Sequence, residues 1–187
     1  MTAEQFLKLN ADPLEKYKKL YRFAVELSNK AHFMKGYGDL PYQAHLFDVE
    51  YVIIKFGYGE ETVEGYQNRI AARLHDILED CGFSYNSIKK IFGEEIAEMV
   101  FLCQDHKGRD RKARKPDSLY EELKTNPRAV IIKLGDRIAN VMGGEMNKTY
   151  IAEHPRFKEI VYEPGVGEEM WKCLDIMLKP KEELQTT

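Results

Sequence analysis

Residues 68–81 read NRIAARLHDILEDC, and the placing of their apolar side chains decides the fold class. Ile70, Ala71, Leu74, Ile77 and Leu78 recur at three- and four-residue steps, the spacing of a helix with one face in a core. On such a helix His75 and Glu79 lie one turn apart, as do Asp76 and Asp80, so two adjacent polar rows run beside the apolar stripe. Four titratable groups against a core are costly unless something pairs them, and a divalent ion is the economical partner. Neighbours on a helix diverge by about 100°, so His75 and Asp76 grip one ion only if it sits between them. The plainer alternative is a salt-bridged His–Asp pair on a surface.

The same periodicity extends outward in both directions. Thr2 fits a cap for a short turn carrying Phe6, Leu7 and Leu9. Asp12-Pro13 reads as a helix start, and Leu14, Tyr17, Leu20, Tyr21, Ala24 and Leu27 carry a stripe to Ala31 or His32. Gly36, Gly38 and Pro41 interrupt it. Helical spacing resumes from Gln43 to Lys55 and ends at Phe56-Gly57-Tyr58-Gly59, and Thr62 leads into the central segment, which Gly82 stops. Ser84 caps a short helix, Glu94–Leu102 forms another, and DHKGRDRKARKPDS (105–118) is a basic loop of a different kind. Ser118 is placed to cap Leu119–Lys124, and Asn126-Pro127 opens a helix with Ala129, Ile132, Ile138 and Val141 on its apolar face. A turn at Gly165-Val166-Gly167-Glu168 precedes a last helix through Met170, Trp171, Leu174, Ile176 and Met177. No strand alternation and no internal repeat is visible. The expectation is an all-α fold in one domain over residues 1–187, its core about 14–142, with a C-terminal helical extension about 145–180.

Composition narrows the function. A formal charge of −3 argues against a protein that coats nucleic acid through its overall field, although one local basic patch is compatible with it. Cys81, Cys103 and Cys173 are odd in number and form no close pair, which suits free thiols in a reducing compartment. The opening MTAEQFLKLNADPLEKYKKL lacks a signal-peptide apolar run, and no stretch reaches the length of a membrane span. The cytoplasm is therefore the expected location, without a membrane partner.

Two further segments offer metal ligands. His45 follows Pro41-Tyr42-Gln43-Ala44 at the opening of a largely apolar helix, and Asp136 is bracketed by apolar residues in IIKLGDRIAN. Taken alone, each also reads as a packed histidine or an arginine-paired aspartate. Together with His75 and Asp76 they make a mixed nitrogen and oxygen set, which suits Mn²⁺, Fe²⁺, Zn²⁺ or Co²⁺. Such an ion lowers the pKa of bound water enough to make a nucleophile. Asn140 lies four residues after Asp136 and so on its face of the helix.

The ordered set PYxxH (41–45), LHDxxED (74–80) and KLxDRxxN (133–140) resembles the HD-domain metal-dependent phosphohydrolases. Within them it is similar to the RelA/SpoT-type (p)ppGpp hydrolases and their small stand-alone relatives, over about Leu20 to Val141. The resemblance implies an HD-domain helical bundle. It implies that His45, His75, Asp76 and Asp136 are the metal ligands, with Mn²⁺ the usual ion. It further implies that Glu79 and Asp80 orient or deprotonate the attacking water, and that Asn140 lies near the substrate ribose or phosphate. The reaction implied is hydrolysis of a 3′-pyrophosphate from a guanosine nucleotide. Two departures are visible: the link FMKGYGDL (33–40) keeps Lys35 without an arginine, and Ile77 stands where the alarmone enzymes usually carry threonine.

Charge growing on phosphoryl oxygens calls for cations. The candidates are Lys35, Arg73, Lys133 and Arg137, with Arg109 and Lys112 from the basic run, and Tyr42 as a ring to stack on a base, with a loop plug as its plainer reading. Each charge in the run also reads as solvated surface. His32 reads either as a partner behind the site or as the end of the first helix, and Tyr37 either as a base-stacking ring or as a loop plug. The leading expectation is a phosphohydrolase of a small phosphorylated nucleotide. The rivals are an HD-type nucleotidase acting on a monophosphate or on NADPH, and a non-catalytic nucleotide sensor. Nuclease action rests on the basic run alone, and that run lacks interleaved aromatics. Monomer and homo-oligomer are both open.

Overall fold

The computed structural model describes residues 12–105, 115–144 and 147–179. Thr2, Phe6, Leu7 and Leu9, and the basic-run candidates Arg109 and Lys112, lie outside the described residues. Helix α1 (Pro13–Ala31) begins as its sequence dictates, with Asp12 accepting from the Leu14 N–H at 2.9 Å and Pro13 in the first turn. A two-residue antiparallel pair follows, β1 (Gly36–Tyr37) and β2 (Leu40–Pro41), with Tyr37 opposite Leu40. Gly38 turns between them at φ +56°. The sequence shows only a break here; the pair is too short to register as alternation.

Helix α2 (Tyr42–Lys55) is followed by α3 (Val63–Leu74), which Thr62 caps through the Gly65 N–H at 3.0 Å. The continuous helix expected across residues 68–81 is broken. Helix α3 stops at Leu74, His75 and Asp76 form a turn, and α4 (Ile77–Cys81) starts anew. Asp76 sits at φ −99°, ψ 0°, outside helical geometry, and His75 Nδ1 bonds the Ala72 carbonyl at 2.8 Å, satisfying a group the interrupted ladder would leave open. Apolar spacing cannot reveal such a break, because Ile77 and Leu78 remain in phase with the core on either side of it.

Helix α5 (Tyr85–Phe92) opens on a capping box between Ser84 and Ser87, and α6 (Glu94–Cys103) follows. Helix α7 (Asp117–Lys124) starts two residues earlier than expected, with Pro116 rather than Ser118 at the cap position and no side-chain cap. Helix α8 (Pro127–Gly143) is capped by Asn126, whose carbonyl oxygen accepts from the N–H groups of Arg128 and Ala129, both at 3.1 Å. Helix α9 (Asn147–Val161) lies within the segment expected as a C-terminal helical extension, although Pro155 falls inside it. Its buried residues Tyr150, His154, Phe157 and Val161 nevertheless keep helical steps. Helix α10 (Glu168–Met177) completes the chain's described part.

The architecture is a multi-helix bundle organised around α8, which is buried from Ala129 to Val141 and packs against α2, α3, α6, α7, α9 and α10. Gly135 sets how near α2 can come. A Cβ built there would lie 3.1 Å from Ile53 Cγ1 and 3.6 Å from the Val49 carbonyl. The next residue, Asp136, is thereby brought to His45, one turn before Val49. Among the described residues no helix is long and apolar enough to cross a membrane.

Candidate metal centre

Three separate elements deliver the centre. His45 comes from the first turn of α2, His75 and Asp76 from the break between α3 and α4, and Asp136 from the middle of α8. His45 and His75 are buried, and one ligand atom each from His45, His75 and Asp76 lies within 4.8 Å of the others. His45 Nε2 is 3.9 Å from Asp76 Oδ2 and 3.4 Å from Asp136 Oδ1. His75 Nε2 is 2.8 Å from Asp76 Oδ2 and 3.7 Å from Asp136 Oδ1. The helix break is what allows this convergence, since adjacent residues on an unbroken helix point apart.

These residues fit a cation. The Ala72 carbonyl holds the proton on His75 Nδ1, so Nε2 of a neutral ring presents its lone pair to the carboxylates. That nitrogen is buried and makes no well-formed hydrogen bond despite the nearby Asp76 oxygen. Lone pairs converging on carboxylate oxygens repel unless a positive charge stands between them. With no ion, a proton takes that part: burial opposes it, but the Asp76 and Asp136 carboxylates push the His75 imidazole up to about 9. Burial likewise opposes ionisation of Asp136, yet Lys133 and the two histidines hold it well below the usual carboxylate range. Lys133 Nζ lies 3.1 Å from Asp136 Oδ2 and donates to the Cys103 carbonyl at 2.9 Å.

An aromatic wall closes the centre on the hairpin side. Tyr37 stacks on His45 with ring centroids 4.5 Å apart, and Tyr42 stacks on His32 at 4.7 Å. The Tyr42 hydroxyl donates to Asp76 Oδ2, and burial together with that carboxylate raises the phenol's pKa, keeping it a donor. His32 Nδ1 bonds the Ser28 carbonyl at 2.9 Å, leaving Nε2 buried and facing Asp80 Oδ2 at 4.0 Å. Asp80 is also gripped by Lys35 at 2.9 Å. Glu79, next to Asp80 on α4 and exposed, accepts from the Asp105 N–H at 3.1 Å; partial desolvation raises its pKa, partly offset by that bond.

The expected cations divide. Lys35 and Lys133 stand at the centre through Asp80 and Asp136. Arg73 is spent elsewhere, its Nε 2.5 Å from Glu50, and Arg137 is buried beneath α9 against the rings of Tyr150 and Phe157. Asn140 bonds both the carbonyl and the carboxylate of Asp136. Sequence reasoning missed Asp105, whose carboxylate lies 3.1 Å from Lys115 and 3.9 Å from Lys133. A lone acid at the edge of a basic run carries no signal of that position.

No protein-family model matches the chain. Curated proteins do. It is 32% identical over 130 residues to a guanosine-3′,5′-bis(diphosphate) 3′-pyrophosphohydrolase of Aquifex aeolicus, covering 68% of this chain and 17% of that one. It is 25% identical over 135 residues to the guanosine-3′,5′-bis(diphosphate) 3′-pyrophosphohydrolase MESH1 of Drosophila melanogaster, covering 72% of this chain and 73% of that one. The chain thus spans less than a fifth of the Aquifex relative. Among solved structures, that of a metazoan ortholog of SpoT superposes with a TM-score of 0.70 at 19% identity, covering 90% of this chain and 97% of the other.

Proposed function

The chain has an HD-domain-like fold related to the RelA/SpoT-type (p)ppGpp hydrolases, and from that premise we propose that it is a metal-dependent phosphohydrolase of small phosphorylated nucleotides. One observation carries the reading: His45, His75 and Asp76 converge in a buried site where His75 Nε2 faces the carboxylates of Asp76 and Asp136 without a well-formed hydrogen bond. The same residue types in the pattern of a structural ion pair would satisfy one another.

In this reading His45, His75, Asp76 and Asp136 hold the ion; the donor set suits Mn²⁺, Fe²⁺, Zn²⁺ or Co²⁺, and the resemblance to the HD-domain phosphohydrolases favours Mn²⁺. When bound, the ion supplies Lewis acidity and makes a water more acidic. The chain's own residues do the rest. Tyr42 donates to Asp76 and Asn140 to Asp136, so both carboxylates keep fixed orientations. Glu79 is placed to take a proton, because partial desolvation makes it a stronger base than a fully solvated glutamate. Asp80, held by Lys35 and facing His32, aims the nucleophile from the next residue of α4. Lys35 and Lys133 meet charge on the phosphoryl oxygens. Hydrolysis of a guanosine 3′-pyrophosphate is the specific form of this proposal, supported by the names of the relatives.

A second reading, action on a nucleotide with fewer phosphates such as a monophosphate or NADPH, is favoured by one observation. Arg73 and Arg137 are committed away from the centre, so the described residues supply fewer cations than the sequence promised. The deciding experiment is product analysis of Mn²⁺-loaded protein against guanosine 3′,5′-bisdiphosphate, NADPH, nucleoside triphosphates and monophosphates. Pyrophosphate from the first supports the specific form. Phosphate from another member alone supports the second reading. Metal binding without turnover anywhere would replace both with a nucleotide sensor.

A further inference from the structure

Asn140 is a candidate substrate contact by its place in the KLxDRxxN motif, yet its amide is already engaged from two directions. It is buried on α8 one turn after Asp136. One end lies 2.8 Å from the Asp136 carbonyl and 2.5 Å from Asp136 Oδ1; the other meets the Tyr37 hydroxyl at 2.5 Å. Chemistry fixes which end is which. A carbonyl and an ionised carboxylate only accept, so the NH₂ end must face Asp136, and both its protons are used there. The amide oxygen is then left for Tyr37, whose O–H donates to it.

We propose that the Tyr37 hydroxyl is a positioning residue for the metal ligand Asp136, acting through the Asn140 amide. The proposal rests on the metal-centre reading given above. Asp136 Oδ1 is the oxygen nearest both His45 Nε2, at 3.4 Å, and His75 Nε2, at 3.7 Å, so it is the one a shared ion would use. Its other oxygen is taken by Lys133 at 3.1 Å. A flipped Asn140 would turn its oxygen against two acceptors of Asp136 and swing the carboxylate out of line. The two Asp136 acceptors fix the sense of the amide, and the Tyr37 O–H, donating to the amide oxygen from the other end, holds it there against rotation. The hairpin is therefore a working part of the centre: β1 holds Tyr37 with its ring on His45 and its hydroxyl reaching α8. A further consequence is that Asn140 has no N–H left to give a ribose or phosphate without releasing Asp136.

The alternative is that Tyr37 merely packs on His45, and Tyr37→Phe separates the two, since it keeps the ring and removes only the hydroxyl. The experiment uses the full chain as wild type, Y37F, N140A and the double variant, each stripped of metal. Mn²⁺ is titrated by calorimetry, and Co²⁺ by its visible absorption, which reports ligand geometry without turnover. Melting of the metal-free forms shows that each is folded. The expected result is Mn²⁺ binding about 10-fold weaker in Y37F, as for other hydrogen-bond supports behind metal ligands, with an altered Co²⁺ band. In the N140A background, removal of the hydroxyl should add nothing. If N140A binds no ion, the Co²⁺ band of Y37F decides: a changed band supports the proposal and an unchanged one overturns it. Wild-type Mn²⁺ affinity and spectrum in Y37F would overturn it, as would an equal loss with and without Asn140. Failure of the wild type to bind either ion is a different result, which removes the metal reading itself.

Discussion

At the scale of single residues, three carboxylates of the centre each have a side-chain partner that holds them in place. Asp136 is steered by Lys133 and Asn140, Asp76 by Tyr42, and Asp80 by Lys35. Glu79 differs, since among the described residues its hydrogen bond comes from a backbone N–H, that of Asp105, rather than from a side chain. Replacing Glu79 with Gln should lower kcat by about 10²–10⁴-fold, the usual worth of a general base. Mn²⁺ affinity, measured separately by calorimetry, should stay near that of the wild type. A Glu79→Gln protein that turns over normally would transfer the role to Asp80. The convergence of His45, His75 and Asp76 was legible in the sequence because an acid or histidine between apolar neighbours has few explanations. Tyr37 and Asp105 were not: an aromatic beside glycine and an acid beside lysines are unremarkable until the chain folds them onto Asn140 and Glu79.

At the scale of elements, a second buried ionic cluster ties the outer helices together. Glu50 of α2 is 3% exposed and accepts from Tyr21 of α1 at 2.6 Å and from Arg69 and Arg73 of α3 at 2.9 and 2.5 Å. Arg69 also lies over the Tyr21 and Tyr66 rings. Glu50→Ala would leave the buried Arg73 guanidinium without its anion and Arg69 with only the exposed Glu61 at 3.7 Å, a loss of about 3–5 kcal/mol. Chemical denaturation of the metal-free protein reads this directly, and a loss under about 1 kcal/mol would mean the arginines find water instead. This cluster explains why Arg73 does not serve the metal centre. Sequence spacing put it one turn before Asp76, but spacing gives a face, not a partner, and Glu50 competes for it from α2. The same limit applies to the break at His75-Asp76. Helix caps at Asp12, Thr62, Ser84 and Asn126 were readable because capping is local chemistry, whereas the break is imposed by what converges on it from α2 and α8.

At the scale of the whole molecule, the centre places opposite charges in the middle of the bundle, so its protonation must feed into global stability. The signs follow from the direction of each shift. His75 is raised from 6.5 to about 9 in the folded chain, burial being outweighed by Asp76 and Asp136. Its stabilising contribution is therefore full below about pH 6.5 and is lost as pH rises through about 9. Asp76 and Asp136 are shifted the other way, held down by His75 and Lys133 respectively against burial. Their contribution is full above the ordinary carboxylate range and is lost on acidification. The metal-free protein should thus be most stable between about pH 4 and 6.5 and should lose at most about 3 kcal/mol between pH 6.5 and 9. Mn²⁺ must displace the proton from His75, so the stabilisation it gives should grow across the same window. Melting temperatures with and without saturating Mn²⁺ at pH 6.5 and 8.5 test both halves together. A metal-free melting temperature that does not fall, with the same Mn²⁺ increment at both values, would mean that no proton occupies the place of the ion. Convergence of the two effects on one window would instead identify the proton and the ion as competitors for the same nitrogen.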